Sequence, residues 1–380
     1  MKGYKSFSKG FTCDGKQYVE DTVYEDPEGI LFYQNPLIAL THCRPIDKNG
    51  ELNEFAEVEV LDEIKTAEDV CYTRKLKIGK KLSVADLAQA YVSYTLENTA
   101  YKQSEVGIRS VATNTDWQSV ATTTGSNSAA TNTGDSSAAM SKGDWSTATN
   151  MGDFSIATNS GTHSIAAAAG AYSVATNTGG GSTATTTGSY SAAANTGDWS
   201  ATTNTGRYSA ATNIGGFSVA TSTGDYSVAT NTGWLSVAAN TGNYSTAANS
   251  ANCSIATSTG YHSVATNTGW LSVAANTGKH SVATNTGNLS VATNTGDESI
   301  AAVEGIGSIA IVTGIESKAK GSLGCWLVIA EHDNEHHIVS VVSAKVDGTE
   351  IKPDTFYIAK NGKLVEASSD ANSETTSFFG

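Results

Sequence analysis

Ser227-Val228-Ala229-Thr230-Asn231-Thr232-Gly233 is one instance of a nine-residue phrase that governs the chain from Ser110 to Ser317. Serine recurs every nine residues without a gap, 24 times. Alanine follows two residues later in 23 of the 24 units, with Thr202 the exception. Glycine stands six residues after the serine in 21 of the first 23, broken at Asp116 and Ala251. Isolated loops tolerate insertions, so unbroken register means that each unit stacks on another. Helix is a poor account: Ser, Thr, Asn and Gly are weak helix formers, and each Gly costs about 1 kcal/mol relative to Ala. A short strand over Ser-Val-Ala-Thr-Asn and a Gly-centred turn satisfy propensity and punctuation together. Parallel strands stacked about 4.8 Å apart give a β-solenoid.

Nine residues cannot close a coil, so two or three units must. The fourth position is usually Thr; its departures among the first 22 units are Met140, Ala167, Ala194, Ala239, Ala248, Ala275 and Ala302. Six of these seven fall on every third unit, which predicts a three-sided coil of 27 residues and about eight coils. Alternation along the strand separates Ser-Ala-Asn from Val-Thr-Thr. The near-constant small size of Ser and Ala argues for a thin Ser/Ala interior, with Asn at its edge where amides could stack into a ladder. The Val, Ile and Ala at the second position argue for the opposite face on hydrophobicity, so the inward face stays open between the two. Aromatic residues precede the serine: Trp145, Phe154, Tyr172, Tyr190, Trp199, Tyr208, Phe217, Tyr226 and Tyr244. They are candidates both for packing between coils and for a ligand-stacking surface.

The flanks differ in composition. The expected domains are an α+β N-terminal cap over 1–106, the repeat array over 107–323 and a β-hairpin C-terminal cap over 324–380. Residues 1–106 hold three of the four prolines and strand-like runs at Gln17–Tyr24, Glu57–Leu61 and Leu76–Ile78. A helix is predicted from Ser83 as N-cap with Asp86 three residues on, through Leu87, Ala90, Tyr91 and Tyr94. At the other end, strands at Trp326–Ala330, Ile338–Val346 and Phe356–Ala359 are punctuated by Asp347-Gly348 and Asn361-Gly362. Caps matter because bare solenoid ends invite fibre growth. The whole therefore reads as all-β dominated, a capped β-solenoid.

The net charge of −14 is thinly spread, with ten acidic and six basic residues between 107 and 323. An electrostatic nucleic-acid binder needs clustered Lys and Arg, so direct nucleic-acid binding is not expected. No apolar run of bilayer length and no basic-then-apolar leader occurs, so membrane insertion and classical secretion are not expected either. Five unevenly spaced cysteines suit reduced thiols in a cytoplasm.

Several N-terminal stretches carry a resemblance: Met1-Lys2-Gly3-Tyr4-Lys5-Ser6-Phe7, Phe11-Thr12-Cys13-Asp14-Gly15-Lys16-Gln17-Tyr18, and Asn35-Pro36-Leu37 before His42-Cys43. They are similar to a domain of phage and prophage proteins whose members continue into tandem nine-residue Ala/Thr/Gly repeats. Those members close with segments similar to Lys318–Trp326 and to Asp347-Gly348 through Leu364-Val365. The resemblance implies a phage-borne or horizontally moved gene and no assigned chemistry; with no leader or span read in the sequence, the expected location is the host cytoplasm or a virion.

Three constellations invite a chemical reading. His42-Cys43 pairs a thiol with a base, but neighbours on a strand face opposite ways. Cys13, His42, Cys43 and Cys71 have zinc-compatible donors at spacings that form no signature. His332, His336 and His337, with Asp333 and Glu335 between them, are weak metal candidates that a polar hairpin loop also explains. The expectation is a non-enzymatic protein with no cofactor. It presents flat Thr/Asn faces and corner aromatics to a protein or other macromolecular partner, such as a host factor in the phage setting. The alternatives are a virion structural spacer and an ice-binding solenoid, the latter through Thr-x-Thr faces such as Thr230 and Thr232.

Overall fold

In a computed structural model the chain is described over residues 1–36, 38–39, 53–67, 70–83, 86–87, 90–91, 93–94 and 102–367. It divides into two compact units, Met1–Thr230 and Asn231–Gly380.

The first unit opens with an antiparallel sheet in the order Lys2–Phe7, Glu54–Val60, Val70–Leu82, Val23–Phe32, with Ile64–Ala67 also paired to Val70–Leu82. The strand expected at Gln17–Tyr24 is split: Lys16–Gln17 forms a short hairpin with Thr12–Cys13, and the long strand begins at Val23. Phe7, Phe32, Val58, Leu76 and Ile78 fill one side of this sheet. The helix starts as its spacing predicts. Asp86 N–H donates to Ser83 Oγ at 3.1 Å, and Ser83 N–H donates back to Asp86 Oδ2 at 3.0 Å. Asp86, Leu87, Ala90, Tyr91, Ser93 and Tyr94 are helical.

In the repeats, four residues from the Val to the Asn position form each strand, and register pairs every strand with the one 18 residues away. Ile156 lies beside Val174 and Val174 beside Ala192 on one side of the coil; Ala129 lies beside Thr147 on the other. The coil is therefore two-sided, with 18 residues rather than the 27 expected. Along the chain the array makes about 12 turns over residues 111–329, not eight. The physical reason sits in the corner. The residue before each serine has a left-handed backbone, φ 56° at Trp145 and 54° at Phe154. Together with the Gly turn this reverses the chain, so two units close a coil. The position-four alanines misled because that position points outward, where stacking does not fix side-chain size.

Ser, Ala and Asn do face inward. Ala157, Ala166, Ala175, Ser155 and Asn159 are fully or almost fully buried. Among the described residues the inward amide of Asn150 joins no ladder along the stack but is spent within its own coil. Asn150 Nδ2 donates to Ser137 O at 2.9 Å, and its Oδ1 accepts Gly152 N–H at 3.0 Å. The expected Thr/Asn face is thus a Val/Thr/Thr face. The near-constant Gly reflects close approach: a Cβ at Gly188 would lie 1.9 Å from Gly170 O one coil away.

The N-terminal domain packs along one side of the solenoid. Leu87 and Tyr91 of the helix, with Tyr4, Tyr33, Phe55 and Leu82, cluster with Val120, Ala138, Met140, Ile156 and Val174.

In the second unit the same register continues, Val273 beside Val291 and Val282 beside Ile300. Trp326–His332 adds in parallel to Ile309–Val312 and turns into an antiparallel hairpin with Ile338–Lys345. Tyr357–Lys360 and Lys363–Glu366 form a second hairpin about Asn361-Gly362, as the turn residues predict. Leu327, Ile329, Val346 and Tyr357 bury its core. Asp347-Gly348 makes a tight loop instead of a hairpin turn, with Gly348 N–H donating to Ile351 O at 3.0 Å.

Candidate functional site

The corner aromatics occupy the left-handed position of each unit, where a non-Gly residue costs about 1–2 kcal/mol. Stacking on the equivalent residue one coil away offsets that strain. Phe154, Tyr172, Tyr190, Tyr208 and Tyr226 form one continuous ladder, with centroids 5.1, 5.0, 5.1 and 4.9 Å apart and planes within 10°. The opposite corner is interrupted. Trp145 stacks on His163 at 4.5 Å and 7°, and Trp199 on Phe217 at 4.3 Å and 2°. Gly181 stands between these pairs at the same left-handed position, φ 66°. In the second unit Tyr244 stacks on His262, and His262 on His280.

The structure therefore brings the nine predicted aromatics into ladders rather than one surface, and it adds His163, His262 and His280. The signal was present as an 18-residue spacing from Phe154 to Tyr244. Trp117, Trp234 and Trp270, two residues before a serine, are also exposed. Trp145 and Trp199 keep 62% and 68% of their surface open, far more than the half-buried Tyr172 and Tyr190. Asp144 and Asp198 precede these tryptophans. Asp144 Oδ1 accepts Thr162 N–H at 2.8 Å, which holds its carboxyl below the usual range. Asp198 Oδ1 accepts Gly216 N–H at 2.7 Å.

The two flat sides of the first unit are unequal. On the side under the N-terminal domain, Val120, Thr122, Met140, Ile156, Thr158 and Val174 are buried. On the other, Ile165 and Val219 are exposed, and Thr185, Thr203 and Thr221 are half-buried beside exposed Thr187, Thr205 and Thr223. Thr230, at the end of the first unit, is half-buried; Thr232, in the second, is exposed.

His332, His336 and His337 lie at the tip of the Trp326–Lys345 hairpin. Asp333 Oδ1 accepts the N–H groups of Glu335 and His337, each at 2.9 Å. Those bonds, the one from His337 foremost, depress the Asp333 carboxyl. Glu331 is likewise held low by Ser340 Oγ and by the Gly362 and Asn361 N–H groups. These acids shape turns. Cys13 and Cys71 belong to the N-terminal sheet's core, where burial pushes the Cys13 thiol up. His42 and Cys43 lie outside the described residues. Among the described residues no three His, Cys, Asp or Glu side chains form a group that could hold a metal ion. No described helix is long and apolar enough to cross a membrane. A shallow cleft lined by Pro27, Gly29, Asp62, Tyr72 and Arg74 in the N-terminal domain carried no sequence signal.

Residues 1–90 match the model of a domain of unknown function, DUF7666. No curated protein and no solved structure matches this chain.

Proposed function

We propose that this chain is a non-enzymatic interaction protein of phage or prophage origin, in which a rigid solenoid presents one side and its corner rings to a macromolecular partner. One observation carries the reading. The N-terminal domain covers one side of the first unit's coils, while the other side and the adjoining corner of Trp145, Trp199 and Phe217 stay open. Large aromatics with apolar bodies and polar tips are the residues that dominate contact energies at interfaces. Close packing between coils makes the surface stiff, so little ordering entropy opposes binding. The test is affinity capture from host lysate, comparing the full chain with its Trp145→Ala/Trp199→Ala variant. A stoichiometric partner that the variant loses supports the reading. Equal capture by both, or by neither, leaves the solenoid as a structural spacer.

A second reading is favoured by the Thr185/Thr187, Thr203/Thr205 and Thr221/Thr223 pairs on three successive coils of the open side. Rows repeating about 4.8 Å apart make a regular hydroxyl and methyl lattice of the kind that could order water as ice. Thermal hysteresis of the purified protein tests it, and its absence ends it.

A further inference from the structure

We infer that the Gly181 corner is a slot for one planar aromatic side chain of a partner protein, between the rings of His163 and Trp199. The inference rests on the reading above, that this corner is a contact surface, and names what it receives. Rings on successive coils stack 4.3–4.5 Å apart in the two flanking pairs. His163 and Trp199 are two coils apart, so about 9.6 Å of rise separates their positions. That is two stacking steps, with the middle ring missing. Trp145 covers one face of His163 and Phe217 covers one face of Trp199, so the uncovered faces look toward Gly181.

The floor is closed and needs no ligand of its own. Gly181 N–H donates to Asp198 O at 2.8 Å, and His163 N–H donates to Gly180 O at 2.9 Å. Nor is the gap forced by the backbone. Gly181 has φ 66°, and Tyr172 and Tyr190 adopt 55° and 58° at the matching position of the other corner. The same backbone therefore carries a side chain elsewhere in the array, and at Gly181 none is present. A Cβ on Gly181 would sit 3.1 Å from the His163 ring, which therefore forms the lower wall.

Aromatic walls at this separation favour a flat π-system by offset stacking. Asp198 stands at the rim, and Lys and Arg are sparse through the repeats. An anionic nucleotide is disfavoured on that ground; a neutral tryptophan or tyrosine ring, or one beside a basic residue, is favoured.

The test titrates the full-length protein with N-acetyl-tryptophanamide and follows the upfield ring-current shift of the indole protons by NMR. Wild type should give a saturable shift. Gly181→Tyr, which fills the slot, and Trp199→Ala, which removes a wall, should each weaken it at least tenfold. Cys253→Tyr, adding a ring at the matching corner position of the second unit, should leave it unchanged. Circular dichroism and thermal unfolding verify that each variant keeps the solenoid, and Trp199→Leu replaces the alanine variant if that one unfolds. No saturable shift, or a shift that survives Gly181→Tyr, overturns the slot. Adenosine monophosphate binding as tightly as the indole overturns the choice of a protein ring. The titration needs no partner, so a negative result beside positive capture would sink the slot and leave the contact surface standing.

Discussion

Ser155 N–H donates to the hydroxyl of Ser173, one full coil away, at 3.1 Å. The same hydroxyl has its one hydrogen within reach of two acceptors, Gly152 O at 3.1 Å and Ala171 O at 3.2 Å, while Ser173 N–H donates to Ser191 Oγ at 3.0 Å. Repeated along the array, this relay explains why Ser recurs without exception. Ala would fit the volume and lacks the oxygen; the relay needs a hydroxyl that both accepts and donates.

Ser173→Ala should therefore destabilise the first unit by about 1–3 kcal/mol, the cost of a buried donor left unpaired. Thr178→Ala, on the exposed surface nearby, should stay within about 0.5 kcal/mol. Chemical denaturation of both variants against wild type reads the difference. Equal midpoints would show that the relay adds nothing to packing.

The inward Asn position offers the opposite sign. Thr186, Ser222 and Ser258 stand where other units have Asn, and among the described residues their buried hydroxyls lack a hydrogen-bond partner. Elsewhere one amide serves both a serine carbonyl across the coil and the Gly N–H two residues on. Thr186→Asn restores both bonds at nearly constant volume and should stabilise by about 1 kcal/mol. A loss of stability would mean that the coil has relaxed around the shorter side chain.

These positions also show what was legible. The constant size of Ser and Ala pointed to them as the interior, because a packed interior restricts volume, but the apolar second position pointed the other way and sequence alone did not decide between the faces. The Ser83–Asp86 cap could be read from spacing alone. The coil was misjudged because Ala167 and Ala194 vary at an outward position, where nothing stacks tightly enough to select them. The informative series was Phe154, Tyr172, Tyr190, Tyr208 and Tyr226, whose 18-residue step is the coil itself. The slot at Gly181 stayed hidden for the same reason: a missing ring is visible only once the two-sided register is known. Packing of Leu87 and Tyr91 on Val120 and Met140 joins segments of different periodicity, and no local pattern announces it.

Asp347 Oδ1 accepts the N–H groups of Thr349, Glu350 and Ile351 at 2.8, 3.0 and 3.1 Å. The Thr349 bond leads in drawing its carboxyl from 3.8 to about 2. Because the folded value lies below the unfolded one, its stabilisation is complete above about pH 4 and lost as pH falls toward 2. Asp347→Asn should flatten the acid dependence of this loop over that window. NMR titration of the Thr349 and Ile351 amide resonances checks it, and a wild-type midpoint near 4 would refute the assignment.

Cys325 takes the serine's place at the end of one side of the array. Its Sγ–H donates to Gly305 O at 3.1 Å, and burial pushes the thiol up despite the Ser308 N–H bond. Little thiolate is then present at neutral pH, and the thiolate is the reactive form. Native protein treated with iodoacetamide should be alkylated at Cys325 far more slowly than unfolded protein, by peptide mapping. Cys325→Ser should be tolerated, since a hydroxyl occupies this position in the units before it. Native-state alkylation at the unfolded rate would place the thiol outside the relay.

Tyr91 hydroxyl donates to Ser136 O at 2.6 Å, joining the helix to a solenoid corner, while Leu87 packs in the same cluster. Tyr91→Phe keeps the ring and removes the bond, and should cost about 1 kcal/mol. Ser83→Ala removes the cap that starts the helix and should cost a similar amount, about 1 kcal/mol. If the helix clamps the N-terminal domain onto the side it covers, both variants should raise hydrogen exchange over Val120–Thr123 and Ile156–Asn159. Exchange at Thr183–Thr186 on the open side should not change. Faster exchange on both sides alike would mean that the helix supports the whole coil stack rather than one face of it.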